Sequence, residues 1–391
     1  MDIVKVGIVG VGNIGEHHSR NIYESPLCKL MAVCDIDPKA FKRVYAPAQA
    51  ETKCFTDLDR FLAEGDMDLV IIAVPHYDHP SIAIKAMNAG KHIIVEKPIA
   101  VHKAAAEELI REGAKHPELV QSAMFCQREY NAHKVIKRLI DQGELGRITR
   151  INWIITNWFR SQRYYDSGDW RASWRGEGGG VLLNQCPHQL DLMQWFFGMP
   201  CKVRAAVKFG KYHDIEVEDE VNAYLEYPDG TVGNFIASTG EMPGTNRLEI
   251  TAEKGRLVYE NGVLEFLRNE QETSVFCRNT ESSFGVLQPW KCTIPYEPDT
   301  ISIHRLILEN VARAILHGEK LIAPMAEGIR GLELGNAMLL SGWKDCDITL
   351  PIDGADFEER LNKLIATSRY QKKTVAAEVD ENSMQKSFGN N

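Results

Sequence analysis

Lys97 and His188 are the residues whose type and neighbours best suit proton handling. Lys97 stands in Glu96-Lys97-Pro98, directly after the apolar run His92-Ile93-Ile94-Val95. A proline disfavours helical backbone at the residue before it, which keeps Lys97 at the mouth of a strand end, where its ammonium can meet a substrate oxygen. The plainer alternative is a surface lysine paired with Glu96. His188 stands in Asn184-Gln185-Cys186-Pro187-His188-Gln189-Leu190-Asp191. On a helix, His188 and Asp191 share a face, and Asn184 joins them only if the helix runs unbroken through Pro187. Proline breaks a helix interior but fits its first position. The one-face argument therefore holds for His188 with Asp191 and is weakened for Asn184. An imidazole titrates near neutrality and suits general acid–base work. The alternative is a core histidine satisfied by Asp191.

A third stretch runs from Trp158-Phe159-Arg160 through Arg163-Tyr164-Tyr165 to Trp170-Arg171 and Trp174-Arg175. Aromatic faces stack on the apolar faces of sugar rings, and arginines bind oxygens. Arg160, Arg163, Tyr164, Trp170 and Arg171, with Arg128, Asn184 and His188, are the expected substrate contacts. A polar interface packed with aromatics is the competing reading. No metal site is expected: the histidines are scattered, without H-E-x-x-H spacing.

These residues need a frame, and the first 15 residues supply its clearest sign. Val4-Lys5-Val6-Gly7-Ile8-Val9 leads into Gly10-Val11-Gly12-Asn13-Ile14-Gly15. A strand, a tight glycine turn and a helix start aim backbone N–H groups and a helix dipole at a pyrophosphate. Gly10 makes the turn, Gly12 admits the phosphates, and Gly15 lets helix and strand pack closely. Asn13 and Ile14 lie in the same turn. Asp35 ends the next apolar run, where a carboxylate accepts hydrogen bonds from an adenosine ribose. With Asp37 beside it, a 2′-phosphate is repelled, and NAD is expected rather than NADP.

Strands are expected at 4–9, 29–34, 68–74, 92–95 and 119–124, alternating with helices such as 81–89. That alternation argues a parallel sheet covered on both faces, with ligands outside the strands' carboxyl ends, at Asp35, Pro75 and Glu96. After about residue 150, strands at 148–156, 203–209, 220–227, 231–238, 246–252 and 256–260 read as an antiparallel sheet. Val221, Ala223 and Leu225 are expected on one face, Tyr224 and Phe235 on the other, and one face is expected to meet a second subunit. Helices are expected at 131–141, 187–197, 300–316 and 325–340. The fold class is thus α/β: an N-terminal Rossmann domain (1–125), a C-terminal α+β domain with a large, mostly antiparallel open sheet (126–371), and a polar, flexible tail (372–391).

The chain has 391 residues, 44 % of them hydrophobic, and a net charge of −9. That length favours two domains. No basic block marks a nucleic-acid or membrane partner. Nine scattered cysteines without C-x-x-C suit reduced thiols in a cytoplasm. The N-terminus does not read as a signal peptide, and no apolar stretch approaches the length of a membrane span.

Taken together, Gly10-x-Gly12-x-x-Gly15, Asp35, Pro75 with His79, the block from Ala89-Gly90-Lys91-His92 to Glu96-Lys97-Pro98, and Gly178-Gly179-Gly180 through His188 and Asp191 resemble the Gfo/Idh/MocA family of sugar and inositol oxidoreductases over nearly the whole chain. The resemblance implies NAD(P)-dependent oxidation or reduction of a sugar or polyol carbon, by a homodimer, homotetramer or larger homo-oligomer built through the open sheet. It implies Lys97 as catalytic lysine and His188 as catalytic histidine, with Pro75, His79, Glu96 and Lys97 near the cofactor. One departure stands out: many members carry Asp where this chain has Asn184, and an amide does not accept a proton as a carboxylate does. Asn184 then orients a substrate hydroxyl. Members lacking that Asp include sugar 3-dehydrogenases, so C3 of a glycoside is the expected target. An inositol dehydrogenase, an NAD-assisted glycosidase and a non-catalytic dinucleotide sensor are the alternatives.

Overall fold

The computed structural model describes residues 3–375. The chain forms two compact units. The first takes the residues up to Tyr130 together with Asp299–Leu332 and Gly354–Glu358. The second takes Asn131–Pro298, Glu333–Asp353 and the described residues from Glu359 onward. Of the expected tail, residues 376–391 lie outside the described residues. Just before them, Val375 donates its N–H to the Asp166 carbonyl at 3.0 Å.

The first unit is built on six strands: β1 (Val4–Val9), β2 (Cys28–Cys34), β3 (Lys53–Phe55), β4 (Leu69–Ile72), β5 (His92–Val95) and β6 (Gln121–Ala123). All pair in parallel, in the order β3-β2-β1-β4-β5-β6. The central strands bury every residue of Leu69–Ile72 and Ile93–Val95. Helices on both faces of a parallel sheet require such unbroken apolar runs. The short, polar β3 has no such signature and was not expected from the sequence. Gly10 has φ of +92°, and a Cβ there would lie 2.4 Å from the Ala73 carbonyl oxygen. The turn after β1 therefore needs glycine for both its dihedral and its packing. A Cβ on Gly15 would meet the Gly10 oxygen at 2.2 Å, which is the close helix–strand approach expected of it.

The second unit holds a nine-stranded sheet: β7 (Ile148–Ile155), β8 (Lys202–Phe209), β9 (Glu218–Glu226), β10 (Val232–Ser238), β11 (Asn246–Ala252), β12 (Gly255–Glu260), β13 (Val263–Arg268), β14 (Trp290–Thr293) and β15 (Ile348–Thr349). Their order is β14-β13-β12-β11-β7-β10-β9-β8-β15. Every pairing is antiparallel except β10 with β7, which makes the sheet mixed. Its buried face carries Val221, Ala223 and Leu225. Phe235 pairs with Ala223 and is fully buried on that same face, so its expected place opposite them is corrected. Register decides this: residues directly across an antiparallel pair point the same way. Tyr224 and Asn222 face solvent. Helix Pro187–Phe197 packs on the buried face, with Phe196 stacked on Trp153 at 6.4 Å between ring centres.

Candidate functional site

Within the first unit, the glycine turn presents its backbone. Helix α1 (Asn13–Glu24) begins at Gly12 with no side chain capping its first N–H groups. A Cβ placed on Gly12 would meet nothing within 4 Å. Uncapped N–H groups beside open space at a helix N-terminus suit a diphosphate. Asp35 follows β2. Its Oδ2 accepts the Val11 N–H at 2.7 Å and its Oδ1 the Asp37 N–H at 2.9 Å. The carboxylate thus braces the turn at the strand end. Gly10, Gly12, Asn13, Ile14 and Gly15 fit the pyrophosphate of a dinucleotide, and Asp35 its ribose.

Lys97 follows β5, and its neighbour Glu96 is buried rather than spread on the surface. Glu96 Oε1 lies 2.7 Å from His18 Nε2, and Glu96 Oε2 accepts the Lys97 N–H at 3.1 Å. Burial by itself would push the Glu96 carboxyl up. The His18 hydrogen bond and the charges of His18, His304 and Lys97 outweigh it and hold the group at about 2. Glu96 is therefore a fixed anion that orients the backbone of Lys97. His304 lies on helix Ile303–His317, with its ring 4.8 Å from that of His17 and its Nε2 3.4 Å from Cys126 Sγ. His79 is buried, its ring nitrogens 2.7 Å from the Pro98 carbonyl and 2.8 Å from the Val74 carbonyl. It ties the Lys97 turn to the end of β4, next to Pro75. Arg128 is buried in this unit, where it donates to Glu327 at 2.7 Å and to the Ile322 carbonyl at 2.9 Å. A carboxylate already meets its charge.

Within the second unit, the glycine run passes tightly under β9: a Cβ on Gly180 would lie 2.0 Å from the Glu218 carbonyl oxygen. A single π-helical turn, Val181–Gln185, follows and carries Asn184. Helix Pro187–Phe197 then starts with Pro187 in its first turn and carries His188 and the buried Asp191. The helix restarts at Pro187 rather than kinking there, and Asn184 belongs to the turn before it. Asn184 and His188 are both half-buried. Asp191 accepts from Gln194 Nε2 at 2.9 Å.

The arginines and aromatics form one ladder. Arg160 lies over Trp158 at 5.4 Å and Tyr164 at 5.0 Å, and Arg171 over Tyr164 at 4.7 Å and Trp170 at 4.2 Å. Burial alone would push the Tyr164 phenol up, but the two guanidinium charges bring it below the ordinary tyrosine value. Arg163 lies beside the ladder and is exposed.

Residues 4–124 match the model of the oxidoreductase family with an NAD-binding Rossmann fold, and residues 133–258 match the GFO/IDH/MocA C-terminal domain. The chain belongs to the Gfo/Idh/MocA family. Its relatives include inositol 2-dehydrogenase of Salmonella typhimurium, 31 % identical over 144 residues, which are 37 % of this chain and 43 % of that one. The chain thus spans under half the length of that relative. The scyllo-inositol 2-dehydrogenase (NAD(+)) of Bacillus subtilis is 25 % identical over 350 residues, 85 % of this chain and 92 % of that one. Among solved structures, the WlbA dehydrogenase of Bordetella pertussis, in complex with NADH and UDP-GlcNAcA, is similar with a TM-score of 0.75 and 26 % identity, over 90 % of this chain and all of that one.

The first unit of this Gfo/Idh/MocA member is accordingly an NAD-binding domain. With Asp35 at the end of β2, NADH is expected to bind at least tenfold more tightly than NADPH. Fluorescence titration with both cofactors measures this, and tighter NADPH binding would reverse the assignment. Among the described residues, no helix is long and apolar enough to cross a membrane.

Three buried neighbours of the candidate residues escaped the reading of the sequence: His18, Glu177 and Glu218. His18 sits in α1, three residues past Gly15, and only its position after the glycine turn hinted at it. Glu218 is fully buried, and its Oε1 accepts the Leu182 N–H at 3.0 Å. Burial pushes its carboxyl up to about 7 from 4.5. A carboxyl raised on folding adds stability that is complete below 4.5 and is lost as pH climbs through 7. The loss is on the order of 3 kcal/mol. Melting temperatures from pH 5 to pH 8 should fall further for the wild type than for Glu218→Gln. Equal falls would rule out this carboxyl as the source.

Proposed function

We propose that this chain oxidises a secondary hydroxyl of a sugar, glycoside or polyol. The observation that carries the reading is Lys97, braced by the Glu96–His18 pair beside the dinucleotide turn. His188 takes the hydroxyl proton as general base. Lys97 stabilises the charge that develops on the substrate oxygen, a task for preorganised cations. Asn184 orients the hydroxyl. When bound, the nicotinamide supplies the carbon that accepts the hydride. The relatives named above are two inositol dehydrogenases and a dehydrogenase in complex with UDP-GlcNAcA, which supports this substrate class.

We take the target to be C3 of a glycoside, because Asn184 stands where many members of the family carry Asp. A screen that follows NADH absorbance over inositols, aldoses and glycosides tests both statements. Reduction of NAD by a glycoside with a 3-keto product is the expected result. A silent screen with cofactor-free protein overturns the dehydrogenase reading, and activity confined to inositols overturns the C3 assignment.

We further infer a homo-oligomer formed through the solvent-facing side of the nine-stranded sheet, which carries Tyr224 and Val263 exposed. Light scattering at micromolar concentration should give more than one chain per particle, and a monomer would exclude it.

A further inference from the structure

Tyr164 stands at the centre of the arginine–aromatic ladder, and its oxygen meets donors. Asn184 Nδ2 and Gln185 Nε2 donate to Tyr164 Oη at 3.3 and 3.1 Å. A neutral phenol oxygen has two lone pairs and one hydrogen, so the two amides use its acceptor capacity. Among the described residues, that hydrogen meets no acceptor. Turning the Gln185 amide over would supply one, but it would bury both amide hydrogens where Oε1 now finds no partner. The phenol hydrogen is therefore a donor left for a ligand.

The two guanidiniums beside this ring lack a counter-ion. Arg160 and Arg171 lie over Tyr164 at 5.0 and 4.7 Å. Among the described residues, neither forms an ion pair with a carboxylate, and the Nε of each is buried without a partner. Arg160 spends one N–H on the neighbouring Phe159 carbonyl at 2.9 Å. Glu177 is the acid whose charge reaches Arg171, but its oxygens are engaged. Oε2 accepts the Ala172 N–H at 2.7 Å, and Oε1 accepts the Asn184 amide. Burial also pushes its carboxyl up, which weakens it as a counter-ion. Lys372, which donates to the Tyr165 carbonyl, adds a third positive charge, answered by Asp166 and Asp169. A guanidinium withdrawn from water without a counter-ion is costly, and stacking on aromatic rings offsets only part of that cost.

We propose that Tyr164, Arg160 and Arg171 form a binding site for an oxyanion carried by the substrate, a carboxylate or a phosphate. All three side chains present hydrogens, so their ligand must bring acceptors and negative charge. Carboxylate and phosphate bring both, in the forked geometry that a guanidinium favours. A sugar hydroxyl would accept from one of them and leave both charges unanswered. All three residues are half-buried, so they are within reach of solvent. Trp158 and Trp170 already hold the guanidinium planes, so little side-chain freedom is lost when an anion binds. The substrate class narrows from sugars in general to sugar acids and sugar phosphates. That narrowing rests on the proposed oxidation of a sugar, whereas the anion site does not.

The test is calorimetric titration of the NADH-loaded enzyme, which cannot take up hydride, with methyl glucoside, methyl glucuronide and glucose 1-phosphate. At least one of the two anions should bind about tenfold or more tightly than methyl glucoside, and the tighter one identifies the oxyanion. Added salt should shrink that advantage. Arg160→Gln and Arg171→Gln should each reduce it to about threefold or less, and Arg171→Lys, which keeps the charge but not the fork, should fall between. Tyr164→Phe keeps the ring and its stacking and should lower anion affinity about tenfold. Equal affinity for all three sugars, no binding of either anion, or an advantage that survives in every variant overturns the site. Tyrosinate absorbance at neutral pH that Tyr164→Phe removes would make the phenol itself the counter-ion and overturn it as well. An anion preference without reduction of NAD by any sugar leaves the site standing and overturns the oxidation reading. Reduction of NAD by methyl glucoside with no anion preference does the reverse.

Discussion

Lys97→Ala and His188→Ala are each expected to lower turnover by roughly 10²–10⁴-fold, the range for removing a group that handles a proton or stabilises charge in the transition state. NADH affinity should change little, because the backbone of Gly10 to Gly15, where the diphosphate is expected, contains neither residue. Fold should survive in both. Lys97 follows β5, whose apolar residues Ile93, Ile94 and Val95 are buried without it, and His188 is half-buried near the start of a helix that Leu190, Leu192 and Met193 anchor. The two residues belong to different compact units, so the double variant carries the decisive information. If they serve one hydroxyl, it should lose far less than the product of the two single losses, because residues that act as one catalytic unit are non-additive. Steady-state kinetics on the best compound of the screen, with circular dichroism as a folding control, measure this. Near-normal turnover in a folded His188→Ala would make His188 a structural partner of its helix and sink the mechanism.

The second large effect is expected at the glycine turn, where two substitutions should separate folding from binding. Gly10→Ala forces a side chain into backbone with φ of +92° and places a Cβ 2.4 Å from the Ala73 oxygen. Strained backbone costs on the order of 1–3 kcal/mol, and the clash with a carbonyl on β1's neighbouring chain segment adds to it. The melting temperature should fall by several degrees and NADH binding should be lost. Gly12→Ala meets nothing within 4 Å, and Gly12 has φ of −76°, which any residue adopts. Stability should therefore move by less than about 1 kcal/mol. The new methyl nevertheless occupies the space a phosphate needs, so NADH affinity should fall at least tenfold. Gly12→Ala with undiminished NADH binding would mean that the diphosphate does not approach the turn there.

The dinucleotide half of the protein was legible because its signals are local. Gly10, Gly12 and Gly15 are spaced by the geometry of one turn, and Asp35 ends the adjacent strand. The apolar runs of β1, β2, β4 and β5 announce a sheet buried on both faces. Pro187 likewise announced a helix start, because a missing N–H is tolerated only there. Period-two patterning located most strands of the second unit but not their partners. It could not show that β10 lies parallel to β7, nor that Phe235 shares a face with Ala223, since both depend on register.

What the sequence determined by itself is therefore the fold class, the dinucleotide turn and the types of residue able to move a proton. Only the tertiary structure decided which groups those residues lean on. His18 reaches Glu96 across 78 positions, and Glu218 reaches the turn of Asn184 across 36. Glu177 lies seven positions before Asn184, yet their contact depends on a glycine run that bends back under a strand. Hydrogen bonds of this kind join segments whose separation is set by the whole chain path, and no local spacing encodes that distance.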